Sequence, residues 1–176
     1  MDDKLEKGRT DYDKSITLRR VVPEDEAFLF DLYSSTREEE LAVVDWGSDD
    51  RREAFLRMQF DAQRTHYQHH YPRAEHRIIL RDGQAAGRIW TERNAGEIRI
   101  LDMAITPAHR GAGIGSYLIR KTLREAQETG RPLRHSVEKN NLAAMRLYER
   151  LGFVVIGEIP THYFLEHGSA SARAKE

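Results

Sequence analysis

The chain has 176 residues, enough for one domain with its own core. Its 28 lysines and arginines stand against 29 acids, a net charge of −1, and it has no cysteine. That balance argues against a nucleic-acid or anionic-membrane partner, and the lack of thiols excludes disulfides, thiolate zinc sites and a cysteine nucleophile.

Residues 1–15 are polar and are expected to form a frayed tail. They contain no apolar signal-peptide core, and no apolar run elsewhere could span a bilayer, so a cytoplasmic setting is expected. Ile16 to Val22 reads as a first strand. Pro23 to Glu26 opens a helix, with proline early and acids in the first turn, and Ala27, Phe28, Leu29, Leu32 and Tyr33 form its apolar face. Thr36 to Asp50 reads as a mixed segment, with Trp46 as a candidate pocket wall. A second helix is expected from about Arg51 to Tyr71, with Leu56, Phe60, Gln63 and Tyr67 on one face. Its end carries His66 and His70 four residues apart, but without a carboxylate partner this reads as a solvated helix end and no metal site is expected.

Three strands follow, at His76 to Leu80, Ala85 to Glu92 and Glu97 to Ile105, turned at Asp82-Gly83 and at Asn94 to Gly96. Gly87 either weakens the middle strand or permits a close approach. After Thr106-Pro107 comes Arg110-Gly111-Ala112-Gly113-Ile114-Gly115-Ser116, then a helix up to Gly130. Strand, glycine-rich turn and helix start together suit phosphate oxygens. The first N–H groups of a helix lack intrahelical partners, the dipole favours negative charge there, and glycine lets a ligand approach the backbone. No Gly-Lys-Ser/Thr follows, and Ser116 stands where a dinucleotide fingerprint needs its third glycine. Leu133 to Val137 forms a short strand. Asn140 or Asn141 caps a last helix to about Leu151, Gly152 stops it, and strands at Phe153 to Glu158 and His162 to Glu166 close the chain. The boundaries expected are a single domain at 16–167 and a small, polar tail at 168–176.

The Arg-x-x-Gly-x-Gly spacing of Arg110, Gly113 and Gly115 resembles the acyl-CoA loop of the GNAT acetyltransferases. A second motif of that family, Asn-x-x-Ala-x-x-Leu-Tyr-x-x-x-Gly-Phe, is matched without departure by Asn141, Ala144, Leu147, Tyr148, Gly152 and Phe153. The element order is similar to the family fold along nearly the whole chain. That implies an α/β (α+β) architecture, with a mixed, mostly antiparallel sheet of about six to seven strands. About four helices flank it, and the sheet splays between its fourth and fifth strands.

The resemblance also implies an activity, transfer of the acetyl group of acetyl-CoA to a primary amine on a small molecule or a protein. The pyrophosphate would lie on the N–H groups of Arg110, Gly111, Ala112, Gly113, Ile114, Gly115 and Ser116. The backbone of Met103, Ala104 and Ile105 would pair with the pantetheine arm, and Asn141 would reach the same arm or serve only as a cap. Tyr148 is the implied proton donor to the leaving thiolate. A fifth-strand glutamate used as base by some members is replaced by Ser136, so Asp102 and Glu38 are carried as catalytic candidates, with Glu39, Asp45, His135 and a water chain as alternatives. Members often pair edge strands into dimers, which this sequence leaves open. A binding module of the same shape, holding acetyl-CoA without turnover, is the second hypothesis.

Overall fold

A computed structural model describes residues 15–168. The expected tails, 1–15 and 168–176, lie outside the described residues apart from Ser15 and Gly168. Among the described residues no helix is long and apolar enough to cross a membrane.

Seven strands form one sheet in the order β1-β2-β3-β4-β5-β7-β6. They are β1 Ile16–Arg20, β2 Glu75–Arg81, β3 Gln84–Arg93, β4 Ile98–Ile105, β5 Leu133–Glu138, β6 Val154–Glu158 and β7 His162–His167. All neighbours run antiparallel except β4 and β5, which are parallel and joined by a crossover helix. The helices are α1 Glu26–Leu41, α2 Asp49–His70, α3 Ile114–Glu128 and α4 Leu142–Arg150.

Alternation along the strands divides the core between the two faces of the sheet. Ile79 and Ile89 join Ile114, Tyr117 and Leu118 of α3 on one face. Ile98, Ile100, Leu133 and Val137 pack there too, against Ile119 and Leu123 of α3 and Tyr148 of α4. On the opposite face Ile78 meets Leu29, Phe30 and Tyr33 of α1 and Leu56 and Phe60 of α2. Helices α3 and α4 therefore cover one side, and α1 and α2 the other.

The segment expected to be mixed after Thr36 continues the first helix to Leu41. Arg37 and Glu40 pair one turn apart at 3.0 Å, and buried Leu41 anchors the last turn in the α1–α2 core. Pro23–Asp25 is a separate 3-10 turn ahead of that helix. The Asp82-Gly83 turn has φ of 50° and 82°, the left-handed pair that a two-residue hairpin requires.

Two features shape the centre of the sheet. Trp90 pairs with Asp102 while Thr91 pairs with Ile100, so Leu101 is an extra residue that bulges β4. Strand β4 then pairs with β5 only at Ile98↔Leu133, Arg99↔Arg134 and Ile100↔His135. Beyond Ile100 the two strands part.

Gly87 faces Ile105 across β3 and β4, and a Cβ placed on it would fall well inside contact distance of the Ala104 carbonyl oxygen. Close approach is thus its role. We expect Gly87→Ala to lower unfolding stability by about 1–3 kcal/mol, since rigid backbone must move to admit one methyl group. Urea denaturation would measure this, and a midpoint unchanged from wild type would remove the steric explanation.

Candidate active site

The parting of β4 and β5 opens a cleft of about 950 Å³. Its floor is the unpaired edge of β4. Thr106 N–H bonds Ala86, so by antiparallel alternation Ala104 and Asp102 turn their peptide groups to β3, while Met103 and Ile105 turn theirs toward the cleft. The carbonyls along this edge take side-chain donors. Ile100 accepts from His135 Nδ1 at 2.7 Å, Leu101 from the Tyr67 hydroxyl at 3.3 Å and Ile105 from Arg110 Nε at 3.1 Å. Met103 stands between the last two.

One end of the cleft is the glycine loop. Gly111 and Gly113 have φ of 74° and 79°, conformations that a side chain disfavours, and they bring the chain abruptly into α3. Gly113 is the N-cap residue, and no side chain caps the helix. Arg110, Gly111, Gly113, Ile114, Gly115 and Ser116 all line the cleft, and the first N–H groups of α3 open onto it. Ala112 instead packs toward the apolar cluster beneath α3. The Arg110 side chain does not enter the cradle. It reaches back to Ile105 and to the Ser35 carbonyl and hydroxyl, each at 3.3 Å, and so ties the loop to α1.

The two faces of the sheet bring different chemistry to this cleft. Tyr148 comes from the α3–α4 side. Its ring is 2 % exposed, held 4.7 Å from His135 and edge-on to Phe153 at 5.0 Å. Burial, and then the charge of Asp102, push its phenol above the ordinary value, so it keeps its proton at neutral pH. Asn141 Oδ1 accepts from Ala144 N–H at 3.0 Å, which makes it the cap of α4, and it also lines the cleft.

Asp102 comes from the α1–α2 side. Its Oδ2 accepts from Arg88 Nε at 2.8 Å, and Arg88 Nη2 donates to Gln63 Oε1 at 2.7 Å. The Arg88 side chain is 4 % exposed and that of Asp102 22 %, so the acid faces the cleft while its partner is sealed behind it. Tyr33, Arg37, Gln63, His66, Tyr67 and Tyr71 line this side, and Arg37 reaches Glu138 at the end of β5 at 3.4 Å. Ser136 also lines the cleft. A smaller hollow of about 230 Å³ shares Gln63, Tyr67 and Arg88 with it.

The geometry thus gathers Asp102, Met103, Ala104, Ile105, the glycine loop, Asn141 and Tyr148 around one opening. Glu38 lies apart, exposed on α1 and not among the lining residues. Trp46 is also elsewhere. Its ring packs on Phe55 at 4.9 Å and its Nε1 donates to Leu41 at 3.1 Å, because the turn between α1 and α2 needs an apolar plug. Sequence reasoning alone did not single out Arg88. An arginine inside a strand of small and apolar residues needs a buried acid, and that signal was available.

The sequence profile of the Acetyltransferase (GNAT) family matches residues 29–153. A mycothiol acetyltransferase from Streptomyces coelicolor is 39 % identical over 82 residues, covering 44 % of this chain and 26 % of the relative. The L-amino acid N-acyltransferase MnaT of Escherichia coli is 33 % identical over 57 residues, covering 32 % of this chain and 33 % of the relative. The matched stretch therefore spans a quarter to a third of these relatives' length. Among solved structures, a PaiA N-acetyltransferase from Thermoplasma acidophilum, in complex with coenzyme A, superposes with a TM-score of 0.66 at 18 % identity, covering 88 % of this chain and 99 % of that one. An acetyltransferase from Thermus thermophilus gives 0.62 at 16 % identity, covering 88 % and 97 %. Such identities establish a shared fold.

His76 lines the smaller hollow, stacked on Trp90 at 4.2 Å, with a buried Nε2 that has no partner among the described residues. Burial, aided by the charge of Arg88, pushes its pKa from 6.5 down to about 3. In that window the unfolded chain binds a proton that the folded chain refuses. Stability is therefore fully present above pH 6.5 and falls as pH drops toward 3. The loss should be on the order of 1 kcal/mol per pH unit. His76→Gln should make the stability curve less steep between about pH 6.5 and 4.5, above the range where most carboxylates titrate. Parallel curves for variant and wild type would show that His76 does not carry the effect.

Proposed function

The chain belongs to the GNAT acetyltransferase family, and on that premise we propose that it transfers the acetyl group of acetyl-CoA to a primary amine by direct attack. The observation that carries this reading is the arrangement at the split of β4 and β5. An uncapped helix start and an unpaired strand edge share one cleft, with Asp102 and Tyr148 contributed from opposite faces of the sheet.

The residues present suit acetyl-CoA. The N–H groups from Arg110 to Ser116 would hold the pyrophosphate, since Gly113 leaves the helix start open and a Cβ on Gly111 would meet nothing within 4 Å. Met103, Ala104 and Ile105 would pair with the pantetheine arm as an added strand, and Asn141 would contribute the amide donors that its cap does not use. The Met103 N–H would donate to the thioester oxygen as negative charge builds there.

An alkyl ammonium is mostly protonated at neutral pH, so the acceptor must lose a proton before it attacks. Asp102 would receive that proton through water on the α1–α2 side. As the carbon–nitrogen bond forms and the carbon–sulfur bond breaks, Tyr148 would protonate the sulfur from the other side. Of the two protons that the nitrogen loses, one restores the Tyr148 hydroxyl and the other leaves to solvent. Glu38 has no part in this scheme, because it is exposed outside the cleft. The acceptor class is supported by relatives named for acyl transfer to L-amino acids and to L-methionine sulfone.

The deciding experiment is thiol release from acetyl-CoA by the purified chain with a panel of amines that includes amino acids. Release with at least one amine supports the transferase reading, whereas tight acetyl-CoA binding without release from any would favour a sensor. Gly113→Glu should weaken acetyl-CoA binding at least about tenfold, because it adds like charge at a site that suits anions. Calorimetry would measure this, and unchanged affinity would remove the loop from the binding site. Tyr148→Phe should lower kcat about 100-fold and leave acetyl-CoA affinity near wild type. Equal losses of rate and fold stability would make Tyr148 a packing residue only.

A further inference from the structure

His135 is the last residue of β5 paired with β4, opposite Ile100. Its Nδ1 lies 2.7 Å from the Ile100 carbonyl oxygen. A carbonyl only accepts, so Nδ1 carries the hydrogen. Burial lowers the pKa of the ring below its ordinary value, against the raising effect of the Ile100 bond, and the ring is therefore neutral with Nε2 bare. The groups that bear on it are Asp102 and Arg99 of β4 and His162 of β7.

The same ring is one wall of the Tyr148 site. It lies 4.7 Å from the Tyr148 ring at 30°, and Phe153 meets the phenol ring at 84°. One imidazole is thus pinned to the backbone where the split begins and supports the phenol that lines the cleft above it.

Resting on the transferase reading above, we infer that His135 is a positioning residue. Its bond to Ile100 fixes the imidazole, and the imidazole fixes the direction in which the Tyr148 hydroxyl points. It lines the same cleft, but in this scheme it takes no proton itself. Its effect on rate passes entirely through Tyr148, and this separates it from a residue that merely stabilises the fold.

A double-mutant cycle on kcat tests this. His135→Asn keeps an amide N–H near the Nδ1 position and removes the ring. It should lower kcat at least about tenfold while the Tyr148 hydroxyl is present, and by less than about twofold in the Tyr148→Phe background. Acetyl-CoA affinity by calorimetry should stay within about twofold of wild type. Two rate losses that multiply would overturn the inference, because a purely structural defect acts whether or not the hydroxyl is there. If His135→Asn does not fold, His135→Phe, which keeps a flat ring and removes the pin, runs the same cycle. A wild-type chain that releases no thiol with any amine overturns the transferase reading itself. A wild-type chain that turns over while the losses multiply overturns only the role of His135.

Discussion

Everything in this cleft follows from strands β4 and β5 keeping only three paired positions before they separate. A sheet that opens from the middle strands the peptide groups along its inner edges, and buried backbone groups need partners. Along β4 the answer is local. His135, Tyr67 and Arg110 each donate a side-chain hydrogen to one carbonyl, at Ile100, Leu101 and Ile105. Each such bond contributes roughly 1 kcal/mol net, but leaving the carbonyl bare would cost more. The donors come from β5, α2 and the glycine loop, so the elements around the cleft are stitched to its floor. The Met103 peptide lies between these tied positions, facing the opening.

The bulge at Leu101 has a second consequence. By adding a residue it sets Met103 on the side of α3 and Asp102 on the side of α1 and α2. A carboxylate so placed needs a counter-charge that does not compete for the opening. Arg88 meets that need from β3, almost fully buried, with Nη2 donating to Gln63. A buried ion pair stabilises little by itself, because desolvation offsets the attraction. Its value here is geometric, since one rigid guanidinium holds Asp102 through Nε and Gln63 through Nη2. The ring of Tyr148, on the opposite face, packs instead against His135 and Phe153.

The glycine loop shows how one side chain can serve a site without entering it. Arg110 precedes the glycines, and a basic residue beside an uncapped helix start suggests a direct contact with an anion. In the fold its guanidinium turns back to Ile105 and Ser35, so it braces the loop against α1. The cradle itself is backbone, and its positive character is that of the α3 helix start.

Much of this was legible in the residues. Period-two and period-3.6 patterns located the strands and helices within a few residues, because each element buries one face. Asp82-Gly83, Gly113 and Gly152 marked turns for a local reason, their left-handed backbone. The motif from Asn141 to Phe153 announced a capped helix with an inward tyrosine. What the sequence could not settle is which side chains meet across distant segments. Asp102 meets Arg88, fourteen residues away and on another strand, and Gln63 joins them from a helix. Glu38 carries the same carboxylate chemistry as Asp102, but helical phase turns it to solvent. The sequence offers His135 as one base candidate among several, and only the register shows its Nδ1 on Ile100. Local patterns depend on neighbours along the chain and can be read there, whereas partners across the cleft are fixed by strand register and by a single bulged residue, which only the folded sheet decides.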